Sequence, residues 1–279
     1  MASIRILDRL EYFIASEALQ KEVWGFADRE IFPGTDLWAL VPHGAIGIGA
    51  FNGGRMVGFS YSSPGLDDRG PYHYSWLTGV SSAVRDTGLG FRLKLAQRAA
   101  CREQGIDRVA WTFDPLQSRN AFFNLEKLGA VIRRYKVNFY GEGTTNRFAG
   151  GLPTDRLVPE WRLKHPDTVA HLAGRMTPVP IEEVTTGDHW VRLVDAPGDP
   201  RGGPRRRRVP PGARRLAIEV PRSIDTLLLR DPARARDWRL AVRRAFLEAF
   251  AAGYAAKRFA TGETPAGRRS FYLLTRRTG

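Results

Sequence analysis

The residues Arg85, Asp86, Thr87, Gly88, Leu89 and Gly90 stand between two segments of opposite character, and that position gives them chemistry. Upstream, Tyr72 to Val80 is dense in aromatic and β-branched side chains, the composition of a strand. Downstream, Leu89, Leu93, Ala96 and Ala100 recur at helical spacing until Gly105. A glycine-bearing turn from strand into helix leaves main-chain N–H groups pointing outward at the positive end of the helix dipole. Such a turn suits a phosphate or diphosphate. Glycine at 88 and 90 lets a ligand approach the backbone with no Cβ in between. A Gly-x-Gly turn is also an ordinary tight turn in many chains, so its surroundings decide.

Proton handling has fewer candidates. His73 and Tyr74 lie on the strand before the turn, where successive side chains face opposite sides, so one of them can face an acceptor. His73 is the candidate proton acceptor, against the alternative of a hydrogen-bonded structural histidine. Glu160 is a second candidate base. Asp114 closes a strand, where ligand-facing residues gather in open α/β sheets, and equally suits the cap of the next helix. Cys101, the single cysteine, has no histidine near it and reads as a buried structural thiol. His43, His73, His165, His171 and His189 are scattered, so no metal site is expected. No G-x-S-x-G elbow occurs, which removes a hydrolase triad.

These residues need a scaffold to position them. Residues 4–9 read as a short strand, and 11–24 as a helix with Ile14, Ala18, Leu19 and Val23 on one side. Residues 25–44, with two prolines and three aromatics, read as a long ordered loop. Asn52-Gly53-Gly54 between apolar runs is a strong hairpin signal. A strand at 108–114 follows the helix 91–104, then a short helix at 118–128 with Gly129 as its cap, then strands at 131–140 and 156–164. The expected fold is α/β, with a mixed, mostly antiparallel sheet of seven strands and the phosphate turn at its centre.

The first half has the run V-x-x-x-x-R-x-x-G-x-G from Val80 to Gly90, W-T-F-D-P-L-Q-S-x-N-A at 111–121 and G-L-P-T-D-R-L at 151–157. Together with the order strand, turn, helix, strand and short helix ending in Lys127-Leu128-Gly129, these resemble the GNAT superfamily of acyl-CoA N-acyltransferases. The resemblance spans about residues 1–163. It implies that Arg85, Asp86, Thr87, Gly88, Leu89 and Gly90 hold the diphosphate of coenzyme A. It also implies that the strand edge at Thr78 and Val80 pairs with the pantetheine arm. In such proteins an Asn often opens the short helix, and a Tyr seven residues later protonates the leaving thiolate. Here those positions are Ser118 and Leu125, with Asn120 near the first, and the strand 72–80 has no Glu to serve as base. Ser118 and Asn120 complete the implied coenzyme set. The implied activity is transfer of an acetyl or other acyl group from coenzyme A to the amine of a small molecule, with acetyl-CoA as cosubstrate.

Beyond about residue 164 the pattern changes, and a smaller α/β lobe is expected at 165–279. Its clearest element is a helix from Pro232 to Ala252, with Asp231 as N-cap and Trp238, Val242, Phe246 and Phe250 in one stripe; Arg239 and Arg243 lie off it. Strands are expected at 216–220, 254–261 and 269–276. The stretch 197–215 is rich in Arg, Pro and Gly and reads as a solvated loop, with a nucleic-acid grip at Arg205 to Arg208 as the alternative. The net charge of +14 is a weak pointer to nucleic acid, since the basic residues spread along the whole chain and only six of the 43 are Lys. An acyl-CoA sensor without transferase chemistry is the remaining alternative. The charged start of the chain is unlike a secretory signal, no run spans a membrane, and one cysteine suits a reducing cytoplasm.

Overall fold

A computed structural model describes residues 2–141, 151–196 and 203–276. Their contacts divide into two units, residues 2–111 with 162–164, and residues 112–141 with 151–161 and 165–276. The division falls after Trp111 and not at the change of composition near 164. The reason is that Phe113, Leu125, Ile132 and Leu157 share an apolar core with Leu216, Phe246 and Tyr272.

The first unit contains β1 (Ser3–Ile6), α1 (Leu10–Trp24), α2 (Gly34–Ala39), β2 (Ile46–Asn52), β3 (Arg55–Asp67), β4 (Gly70–Val80), α3 (Leu89–Glu103) and β5 (Arg108–Ala110). The strands lie in the order β1-β2-β3-β4-β5, antiparallel except for the parallel pair β4/β5. Gly53 and Gly54 both take positive φ, 55° and 84°, as a two-residue hairpin turn between β2 and β3 requires. One face of the sheet packs on α1 and α2 through Phe13, Leu19, Leu37, Phe59 and Tyr61. On the other face Gly58 lies close under α3, where an added Cβ would stand 3.1 Å from Leu93.

Residues 25–44 differ from the expected loop. Two 3₁₀ turns and the two-turn helix α2 lie there. Elements this short carry too few apolar repeats for a 3.6-residue period to be read. Gly34 opens α2 hard against α1: a Cβ there would stand 2.5 Å from the Ile14 nitrogen. Gly34→Ala is therefore expected to lower stability by about 1–3 kcal/mol, measured as a fall in the urea midpoint.

The second unit contains α4 (Ser118–Phe122), continued by a π-helical turn (Phe123–Lys127), then β6 (Val131–Lys136), β7 (Arg156–Arg162), α5 (Pro166–Leu172), α6 (Ile181–Thr185), β8 (Val191–Asp195) and β9 (Arg205–Arg206). It ends with β10 (Arg215–Val220), α7 (Ile224–Arg230), α8 (Pro232–Ala251), β11 (Tyr254–Thr264) and β12 (Gly267–Arg276). The strand order is β7-β6-β11-β12-β10-β8-β9. Period-two alternation assigns the faces: Tyr272 and Leu274 join the core that contains Trp238, Val242 and Phe246 of α8, while Phe271 and Leu273 pack with Ile181 and Val184 of α6. Asp231 caps α8 by accepting from the Arg234 N–H at 2.9 Å.

Arg239 sits off the apolar stripe of α8 yet is buried, because its Nη2 donates to Asp114 at 2.5 Å. The Arg-rich run is partly built into the sheet. Arg205 and Arg206 pair with β8, and Arg206 forms a 2.7 Å ion pair with Glu248. Residues 197–202 of the expected loop lie outside the described residues. Among the described residues no helix is long and apolar enough to cross a membrane.

Candidate coenzyme site

Strand β4 forks away from β5 after a short stretch of pairing. The two strands pair only at His73/Val109 and Tyr74/Ala110. From Ser75 to Val80 the β5 side of β4 has no strand neighbour among the described residues. On its other side β4 pairs with β3, with one irregularity: Leu77 lies opposite Tyr61 and Ser75 opposite Ser62, so Trp76 is an extra, bulged residue. A bulge reverses which side chains face which side. Before it, Ser75 faces the polar side chains of α3; after it, Leu77 joins the α1 cluster and Gly79 lies under Trp24.

The turn beyond β4 is exposed from Arg85 to Gly88, and Leu89 is buried beneath it. Asp86 and Gly88 take positive φ, 64° and 80°. The Thr87 hydroxyl donates to the Val84 carbonyl at 2.8 Å. The ladder of α3 begins with Arg92 N–H on the Gly88 carbonyl at 3.1 Å, so the N–H groups of Leu89, Gly90 and Phe91 precede it and have no intrahelical acceptor. A Cβ at Gly88 would meet nothing within 4 Å, and one at Gly90 only Val80 Cγ2 at 3.8 Å. There is space for a ligand against the backbone. Glu22 of α1 fixes the entrance, its Oε1 accepting from the Ser81 hydroxyl at 2.8 Å and from the Ser82 N–H at 3.0 Å. The Ser81 bond is the main reason its carboxyl is held below the ordinary range.

Of the residues expected to bind coenzyme, Thr78, Val80, Arg85, Asp86, Thr87, Gly88, Leu89 and Gly90 follow one another along the β4 edge and the start of α3. Thr78 uses its hydroxyl on Ser60 and on the Leu77 carbonyl, so it has its main chain to offer a ligand. Ser118 and Asn120 belong to the second unit, on α4, where the Ser118 hydroxyl donates to the Arg222 carbonyl at 3.1 Å.

The candidate bases fare differently. His73 is fully buried, with Nδ1 3.2 Å from Ser62 Oγ and Nε2 2.8 Å from Gln104 Oε1. Burial lowers its pKa, and the Gln104 bond opposes that shift. Both ring nitrogens are thus engaged inside the first unit. Glu160 lies half-buried on β7, opposite Val131, in the second unit. Leu125, at the position of the missing tyrosine, is fully buried in the π-helical turn and belongs to the apolar core of the second unit. Asp114 accepts from the Leu116 N–H at 2.8 Å, so it closes the turn before α4 as well as holding Arg239.

A polar cluster behind the fork escaped the sequence reading. Lys94 of α3 is buried, its Nζ donating to Gln97 Oε1 at 2.6 Å and to Ser75 Oγ at 3.2 Å, 4.2 Å from the centre of the Trp111 ring. Burial draws its pKa down to about 7 and drives that of Cys101, two turns further along α3, up to about 12. One signal was available: Lys94, Gln97 and Cys101 recur at i, i+3 and i+7, a helical face of their own beside the apolar stripe.

No family model matches the sequence, and no curated protein matches it. Solved structures do. The chain is similar to the ribosomal-protein-S18-alanine N-acetyltransferase of Escherichia coli, at 15% identity and a TM-score of 0.48, over 59% of this chain and 96% of that one. It is similar also to a GNAT-family acetyltransferase of Streptococcus pneumoniae, at 12% identity and a TM-score of 0.46, over 57% and 98% of the two chains. A GNAT-family acetyltransferase of Elizabethkingia anophelis with acetyl-CoA bound aligns at 13% identity and a TM-score of 0.42, over 58% and 97%.

Proposed function

We propose that the first unit binds an acyl-coenzyme A and that the protein transfers the acyl group, most simply acetyl, to the amine of a small molecule. The observation that supports this most is the pairing of two features in one unit: an exposed turn whose N–H groups precede the α3 ladder, and an open strand edge leading from it to the fork. The turn suits a diphosphate through the N–H groups of Leu89, Gly90 and Phe91 and the side chain of Arg85. The edge from Val80 to Ser75 suits an extended arm bearing amides, which would take the place of a neighbouring strand. Coenzyme A supplies the activated thioester; the chain supplies placement and donors.

A second reading, an acyl-CoA-binding protein without transferase chemistry, is favoured by Leu125, buried where a thiolate acid is expected. Thiol release from acetyl-CoA, followed across a panel of primary amines at pH 7–8, separates the two. Release that depends on the amine supports transfer. Coenzyme binding with no release for any amine supports the second reading.

A further inference from the structure

The geometry points to Lys94 as the group that takes the proton from the attacking amine and returns it to the departing thiolate; this inference rests on the acyl-coenzyme A reading above. The last paired residues of the fork are Tyr74 on β4 and Ala110 on β5. The residues that follow them in the chain are Ser75 and Trp111, and Lys94 Nζ lies against both, 3.2 Å from Ser75 Oγ and 4.2 Å from the Trp111 ring centre. Its ammonium therefore bridges the base of the fork. From Val80 to Ser75 the open edge is about 17 Å long at the rise of a strand, a run that an extended arm with two amides covers. An acyl group on such an arm ends beside Ser75 and Lys94.

The two hydrogen bonds described for Lys94 go to neutral groups, Ser75 Oγ and Gln97 Oε1, and burial is the main cause of its lowered pKa, with Cys101 opposing. On α3 itself Cys101 is buried, Arg92 donates to the Ala2 carbonyl, Arg98 donates to the Leu163 carbonyl, and Arg102 and Glu103 are exposed. On the neighbouring strands Arg5 of β1 lies over the Phe51 ring, Arg55 of β3 is exposed, and Tyr61 of β3 donates to the Leu37 carbonyl. His73 of β4 is bonded to Ser62 and Gln104, Tyr74 packs edge-on to Trp76, Arg108 of β5 grips Asp67 and lies over the Tyr72 ring, and β2 has no titratable residue. Burial brings the lysine to about 7, where both its forms are populated near neutral pH.

In the step, neutral Nζ accepts one proton from the acceptor's ammonium. The freed amine forms a C–N bond to the thioester carbonyl, and its nitrogen releases a second proton to water. As the C–S bond breaks, the sulfur takes the proton held on Lys94. The products are an amide, a thiol and one proton in solvent, with Lys94 neutral again. One residue thus does the work of the acid absent at Leu125 and of the base absent from β4.

The test labels the six lysines of the full chain with ¹³C at Cε and follows their NMR signals. Lys94→Met assigns one signal by its loss, and Lys94→Arg does so if the first variant does not fold. The expected result is that this signal titrates near 7 and shifts more with acetyl-CoA than with coenzyme A. Calorimetric affinity for coenzyme A should stay within about threefold in the variants, while amine-dependent thiol release falls about 10²–10⁴-fold. A signal that titrates near 10, or that ignores acetyl-CoA while coenzyme A binds, overturns the assignment and leaves the coenzyme reading standing. Failure of the wild-type protein to bind coenzyme A overturns both.

Discussion

Replacing Asp155 by Ala is expected to lower unfolding free energy by about 3–5 kcal/mol, read as a large fall in the urea midpoint. Asp155 is fully buried and satisfies several donors at once. Its oxygens accept from the Tyr135 hydroxyl at 2.7 Å, the Asn138 N–H at 2.9 Å, and Arg243 Nε and Nη2 at 2.7 Å each. These contacts fasten the end of β6 and the middle of α8 to the segment that leads into β7. Without the carboxylate the Arg243 charge and a buried phenol lose their acceptor, and unmet desolvation is what makes breaking such a pair costly. Asp155→Asn keeps the shape and part of the bonding, so a smaller loss is expected from it. An unchanged midpoint in Asp155→Ala would contradict the buried network.

The second large effect concerns Lys94 and appears as a pH dependence. The unfolded chain keeps this ammonium up to about pH 10.5, whereas burial lets the folded chain release it near 7. Between those values the unfolded state binds more protons, so stability contributed by this site rises with pH through that window. The full span is on the order of 5 kcal/mol. In Lys94→Met that slope disappears, and the variant gains most over the wild type below pH 7. Urea unfolding at pH 6, 8 and 10 measures it. Parallel pH profiles for the two proteins would mean that the lysine is not buried as described.

Legibility in the sequence followed element length and chemical type. The hairpin at Asn52-Gly53-Gly54, helices α1 and α3, and α8 with its Asp231 cap were plain, because each carries a long period or a distinct turn signature. Short elements such as α2, α6 and α7 were not, since two turns of helix show no repeat. Composition changes near 164, whereas the contacts divide after Trp111, because residues on both sides of 164 share one apolar core. At the candidate site, the turn from Arg85 to Gly90 could be read because glycine spacing constrains backbone directly. The bulge at Trp76 could not, since one extra residue in a strand leaves no mark on its composition. That bulge is what turns Ser75 toward Lys94. The buried roles of Lys94 and Arg239 were hidden for a related reason: long cationic side chains on a helix are usually solvated, and only their partners show otherwise.

The central claim is that the turn before α3 holds the diphosphate of coenzyme A. It is tested most directly by calorimetric titration of the protein with coenzyme A and acetyl-CoA, beside Gly88→Glu and Gly90→Glu. Gly88 has a φ of 80°, so a side chain there adds backbone strain; Gly90 does not have that conformation and controls for it. Each variant sets a carboxylate against the N–H groups of the turn, with space for the side chain itself. The account predicts micromolar binding to the wild type, weakened at least 100-fold in both variants, with urea midpoints that show them folded. Equal binding in wild type and folded variants, or no binding at all, would contradict it.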